Sequence, residues 1–138
     1  MRVILDTNIL LSGLMFPEGT PGRLIRAWLD GRFTLVSHAS QIEELRDVTR
    51  RDGIRSKFPF AKAGRLINQI VQTADMPPRL PKIDRSQDPN DNFLLGLCEA
   101  GAADWLVTGD KAGLLILKRQ ATAKIVTASE LANELKLV

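Results

Sequence analysis

The chain has one cysteine, Cys98, and one histidine, His38. A lone thiol excludes an internal disulfide framework and fits a reducing compartment. Cys98 lies inside an apolar helical pattern, where a buried and inert thiol is expected. Without a Cys/His set there is no ligand group for zinc. A Ser-His-acid triad would have to run through His38, beside Ser37, and that histidine reads better as a structural residue at a strand end. No glycine-rich phosphate loop and no dinucleotide fingerprint occurs, and Gly109 stands isolated. No run approaches the ~20 apolar residues a membrane span needs. The first apolar run breaks at Asp6, so it does not form a secretory signal. Internal repeats and low-complexity tracts are missing as well. The expectation is a cytoplasmic protein with no membrane association.

What is present suits a single domain over residues 1–138, with 44% hydrophobic and 25% charged residues. The net charge is only +3, and the pI near 9.4 permits a polyanionic partner without requiring one.

Val3-Ile4-Leu5 is a short unbroken apolar run, the mark of a strand buried on both faces. Ile9 to Phe16 is apolar and opens a helix or a loop over the strand ends. Residues 17–22 carry turn chemistry, and Leu24, Ile25, Trp28 and Leu29 recur at helical spacing before Gly31. Phe33 to Val36 reads as a second strand. A helix from Ala39 to Arg50 carries the stripe Ile42, Leu45 and Val48, and another from Ala61 to Thr73 buries Leu66, Ile67, Ile70 and Val71. Met76 to Pro81 is an extended connector. A strongly apolar helix runs from Phe93 to Ala100 and stops at Gly101. Trp105-Leu106-Val107 is a further strand, Leu114 to Leu117 a short helical stretch, and Ile125-Val126 a last strand. Thr127 or Ser129 then caps a helix ending near Leu135. Strands alternating with helices predict an α/β fold with a central, mainly parallel sheet.

The acids fall at telling places. Val3-Ile4-Leu5 ends in Asp6-Thr7-Asn8, and Trp105-Leu106-Val107 ends in Thr108-Gly109-Asp110. Ligands in open α/β sheets bind beyond the carboxyl ends of strands, so Asp6 and Asp110 should meet at one edge. At 100° per residue Glu44 falls at the margin of its helix's apolar stripe, while Glu43 faces water. Asp91 aligns with Leu94, Leu95 and Cys98 on the inward side of its helix, whereas Asp88 and Asn90 are well explained as caps. The first-turn position of Asp91 favours its ionised form through the helix dipole. Carboxylates gathered near a core repel one another and resist desolvation, which a cation would relieve. All-oxygen ligation points to Mg²⁺ or Mn²⁺.

Leu5-Asp6-Thr7-Asn8, Glu44-Leu45 after Ser37, Asp88-Pro89-Asn90-Asp91-Asn92 and Val107-Thr108-Gly109-Asp110 stand in the order, and roughly the spacing, of the PIN-domain family. The chain resembles its VapC-type ribonuclease toxins and their PIN-like relatives over nearly its whole length. The resemblance implies a three-layer α/β/α sandwich and an acidic quartet of Asp6, Glu44, Asp91 and Asp110. It implies hydrolysis of single-stranded RNA with Mg²⁺ or Mn²⁺, which Asp6 and Asp91 would chiefly hold, with Asp110 and Glu44 ligating directly or through water. Thr7, Asn8 and Thr108 would orient carboxylates or water. Arg46, Arg50 and Arg51, in the basic cluster running on to Lys57, are candidates with Lys111 for phosphate contacts. The toxin relatives are homodimers inhibited by a small antitoxin, so both partners are implied. One departure stands out. Relatives often carry another acid shortly after the last motif aspartate, where this chain has Ala112-Gly113, which puts a second metal site in question. The alternatives are a catalytically weak PIN-like RNA-binding or assembly module, a small-ligand binding domain, and a hydrolase using Asp6 as phosphoryl acceptor. The last would want an acid two residues later, where Asn8 stands.

Overall fold

A computed structural model of the chain describes residues 1–137. Strand β1 (Arg2–Leu5) leads into α1 (Thr7–Met15) and α2 (Thr20–Leu29), followed by the short β2 (Thr34–Leu35). Helices α3 (Ala39–Thr49), α4 (Asp52–Arg55) and α5 (Phe60–Thr73) come next. After the connector, a 3₁₀ turn (Pro89–Asp91) opens α6 (Asn92–Ala100), then β3 (Trp105–Val107) and a second 3₁₀ turn (Leu115–Leu117). The hairpin of β4 (Arg119–Gln120) and β5 (Ala123–Val126), and then α7 (Ala128–Glu134), complete the fold.

The five strands form one sheet in the order β2-β1-β3-β5-β4, parallel throughout except for β4. Side chains alternate along each strand, so every central strand feeds two cores. Val3, Leu5, Leu35, Val107 and Val126 point to one side, against helices α1, α2, α3, α5 and α7. Ile4, Leu106, Ala123 and Ile125 point to the other, against α6, the Leu80 and Ile83 connector and Leu114. The fold is therefore the expected α/β/α sandwich, and the unbroken apolar strands are the direct cause. Among the described residues no helix is long and apolar enough to cross a membrane.

Some expectations change. The second strand shrinks to Thr34–Leu35, with Val36 making a lone parallel bridge to Asp75 at the start of the connector. Val71 is 49% exposed and Leu29 52% exposed. Val71 lies beyond the arc that Ala63, Leu66, Ile67 and Ile70 bury, and Leu29 ends its helix at the surface. The apolar segment after Asp6 is a helix from its first residue. Thr127, not Ser129, caps α7, its Oγ1 accepting from the Glu130 N–H at 3.2 Å. Cys98 is fully buried, and burial pushes its thiol up to about 12. His38 is the N-cap of α3, its Nδ1 accepting from the Ser40 N–H at 3.0 Å.

Candidate functional site

The parallel register pairs Leu5 with Val107, so the chain leaves β1 and β3 side by side. Asp6 donates its N–H to the Val107 carbonyl at 2.9 Å, and its own carbonyl accepts from Ile9 and Leu10 to start α1. Strand and helix thus hold Asp6 between them, 7% exposed. The Thr108 hydroxyl donates to Asp6 Oδ2 at 2.7 Å and accepts from the Asp110 N–H at 3.1 Å. One buried hydroxyl therefore joins the two strand-end aspartates. Burial raises the Asp6 pKa above the ordinary carboxylate value. The Thr108 hydroxyl and the N–H groups of Asn8 and Thr7 oppose that rise, and the nearby Glu44 charge adds to it.

Asp91 closes the 3₁₀ turn and starts α6, half-buried, with no capping bond from its side chain. Its carboxyl is pushed up to about 7, by desolvation first and then by the charges of Asp6, Asp88 and Asp110, with a hydrogen bond to Asp110 in the same direction. The helix dipole alone favours the ionised form. Desolvation and three neighbouring carboxylates outweigh it. Asp88, read from the sequence as a cap, does cap the turn through the Asn90 N–H at 3.0 Å, and it also belongs to the electrostatic group around Asp91. The loop is held by Asn92, whose Oδ1 accepts from the Ser86 N–H at 2.9 Å and the Arg85 N–H at 3.2 Å. Asp110 Oδ1 accepts from the Gly113 N–H at 3.0 Å. A Cβ at residue 113 would strike the Asp110 carboxylate as it now stands, so a side chain at Gly113 would require that carboxylate to turn.

Glu44 is half-buried and close enough to Asp6 to raise its pKa, while Glu43 is exposed. Sequence reasoning missed Gln41. Its side chain is fully buried, with Nε2 donating to the Leu5 carbonyl at 2.7 Å and, at 3.5 Å, to Thr7 Oγ1. Its Oε1 accepts from the Ser37 hydroxyl at 2.6 Å. A polar residue four positions before Leu45, on the buried stripe, was the available signal. Thr7 is buried beside it. The Asn8 side chain is exposed, and its link to Asp6 is its backbone N–H. Lys111 is exposed next to Asp110, whereas Arg46 and Arg50 line a groove shared with α5, and Arg51 is exposed as the N-cap of α4.

Among the described residues none of these acids has a Lys, Arg or His partner within ion-pair distance. Nor do three acidic, histidine or cysteine side chains converge as a ready ligand set. The acids share an edge rather than a point. Hard oxygen donors, mutual repulsion and no counter-charge fit a divalent cation of the Mg²⁺ type, which retains waters and needs few protein ligands.

No curated protein gives a significant match. Among solved structures, a chain from the crystal structure of VapBC2 from Rickettsia felis bound to a DNA fragment from their promoter is similar in fold. It aligns with a TM-score of 0.57 and 14% identity, over 92% of this chain and 98% of that one. The family model described as PIN domain matches residues 2–112, from β1 and Asp6 past Asp110. With that match covering most of its length, the chain belongs to the PIN-domain family.

Proposed function

We propose that this protein is a metal-dependent endoribonuclease that hydrolyses phosphodiester bonds of single-stranded RNA, and that it is the toxin of a type II toxin–antitoxin pair. The observation that carries the nuclease reading is the group of unpaired carboxylates at the carboxyl edge of the sheet, two of them joined by the Thr108 hydroxyl. Membership of a family whose members are generally nucleases supports it. Asp6 and Asp91 would hold Mg²⁺ or Mn²⁺, with Asp110 and Glu44 ligating directly or through water. When bound, such an ion lowers the pKa of a water and offsets phosphate charge. The chain's own part is positional. Thr108 holds Asp6 Oδ2 and the Asp110 backbone, Gln41 ties Glu44's helix to the strand ahead of Asp6, and Thr7 fills the space between. Lys111 stands where it can meet a phosphate beside Asp110. The fold likeness to a VapBC2 structure supports an antitoxin as partner; a homodimer in the cytoplasm is part of the same reading and rests on the family resemblance alone.

A second reading, a PIN-like RNA-binding module with weak catalysis, draws on the Asp110 carboxylate being turned to the Gly113 N–H. One experiment decides between them. A mixed single-stranded RNA is incubated with purified protein in Mg²⁺ or Mn²⁺ and in chelator, beside Asp6→Asn and Asp91→Asn. The nuclease reading expects cleavage only with metal, falling at least roughly a hundredfold in each variant. Absence of cleavage together with absence of calorimetric Mn²⁺ binding would leave the binding module.

A further inference from the structure

Helix α3 carries opposed chemistry on its two flanks. At 100° per residue, Arg46 and Arg50 lie roughly 160° and 120° around the axis from Glu44, on the far margin of the buried stripe. Glu44 lies near enough for its charge to act on Asp6, whereas Arg46 and Arg50 line a groove of about 120 Å³ between α3 and α5. The α5 wall is made by Phe60, Gly64 and Asn68. Phe60 is 53% exposed, and the Arg55 guanidinium sits over its ring, 5.0 Å from the centroid. Gly64 leaves the wall open, since a Cβ there would meet nothing within 4 Å. Residues 45–68 hold seven Arg or Lys against two Asp, a greater positive excess than the +3 of the whole chain. Among the described residues, none of those seven forms an ion pair.

We propose that this α3–α5 groove is a second RNA contact, gripping the backbone of the single strand away from the acidic edge and stacking a base against the Phe60–Arg55 pair. The proposal rests on the nuclease reading only for the choice of RNA. Unpaired arginines around a groove supply phosphate contacts, and an exposed aromatic supplies a sequence-tolerant stacking surface. An acidic protein segment would use the arginines but has no comparable use for the aromatic. A strand occupying both the groove and the acidic edge crosses α3, a width of about 10 Å. The groove should therefore govern how tightly RNA is held, and the acids how fast it is cut.

The test is binding of a labelled single-stranded RNA to the full chain in chelator, by fluorescence anisotropy across a salt series. Arg46→Ser with Arg50→Ser should weaken binding at least tenfold and flatten the plot of log K against log salt by about 1.4, for two phosphates at ~0.7 each. Phe60→Ala should weaken binding about tenfold with the slope unchanged. Gly64→Gln fills the groove without altering charge, and as a better helix former should raise the melting temperature while weakening binding. That combination separates blocked binding from lost folding. In metal, the double arginine variant should show a raised KM at an unchanged kcat. Binding unchanged in all three variants would overturn the groove. Poly-glutamate displacing RNA from wild type, with Phe60→Ala without effect on either ligand, would overturn it in favour of an acidic protein partner. Wild type that binds RNA through these residues but does not cleave it supports the groove and removes only the nuclease reading.

Discussion

At the residue scale the most telling side chain is Gln41, whose amide has every polar atom satisfied inside the core. It sits on α3 three residues before Glu44 and bonds the carbonyl of Leu5, immediately ahead of Asp6. The distance between two candidate metal ligands on different elements is thus referred to one buried amide. Gln41→Leu keeps the approximate volume but strands the Leu5 carbonyl and the Ser37 hydroxyl. It should cost about 1–3 kcal/mol in a urea titration. If Gln41 only filled space, the loss would be negligible. Patterning alone named Ile42, Leu45 and Val48 as the stripe and passed over this residue, because a hydrophobicity rule has no place for an amide inside the core. Asp6 and Thr108 were legible for the opposite reason. An apolar run that ends abruptly in polar residues marks both a buried strand and the edge where it stops. Asp91 was legible in position but not in protonation, since periodicity sees one helix and the charges that raise its pKa come from other segments.

At the scale of elements, the interior strands were readable and the margins were not. β1 and β3 are apolar on both faces because helices cover both faces, and composition reports that directly. β4 is two residues long and antiparallel, joined to β5 by a tight turn in which Ala121 has φ +53°. Neither Asn-Gly nor Asp-Gly marks that turn, so the usual hairpin signal is missing. What secures it lies far away in the chain. Arg85 Nη1 donates to the Arg119 carbonyl at 3.0 Å, and also to the Gln120 side chain. The short α4, inside a basic stretch with no buried residue, likewise gave no periodicity to read. Where α6 ends, the packing is tighter than its Gly101 stop signal suggests. A Cβ on Gly101 would strike the Val36 side chain, which is fully buried in the second core. Gly101→Ala should therefore destabilise by about 1–3 kcal/mol through overpacking. Because φ at Gly101 is −93°, the penalty is steric rather than conformational, and trimming the neighbour with Val36→Ala in the same chain should recover part of it. Independent, additive losses in the double variant would show that the two residues do not press on one another.

For the whole molecule, a net charge of +3 conceals separated fields, with a carboxylate group at one edge of the sheet and a basic flank beyond α3. The acidic edge ties stability to pH, and the proposed metal would act on it in the opposite sense. Asp91 titrates near 7 when folded against an ordinary value of 3.8, so the folded state holds a proton that the unfolded chain has released. A raised carboxyl pKa contributes stability that is present below about 3.8 and is lost as pH rises through about 7. Asp6, raised in the same direction by burial, acts with it. In chelator, the melting temperature should consequently fall from pH 4 towards pH 7.5, and Asp91→Asn should flatten that fall and melt higher than wild type at pH 7.5. If the proposed site takes Mn²⁺, it needs the ionised acids, and the stabilisation should grow over the same interval. At a hundred times its Kd it would contribute about 2.7 kcal/mol. Thermal melts of wild type and Asp91→Asn, with Mn²⁺ and with chelator at pH 5 and 7.5, test both slopes together. The expected result is a Mn²⁺ shift that is small at pH 5, large at pH 7.5 and lost in the variant. An equal Mn²⁺ shift at both pH values, retained in Asp91→Asn, would place the ion elsewhere and separate the acidic edge from metal binding.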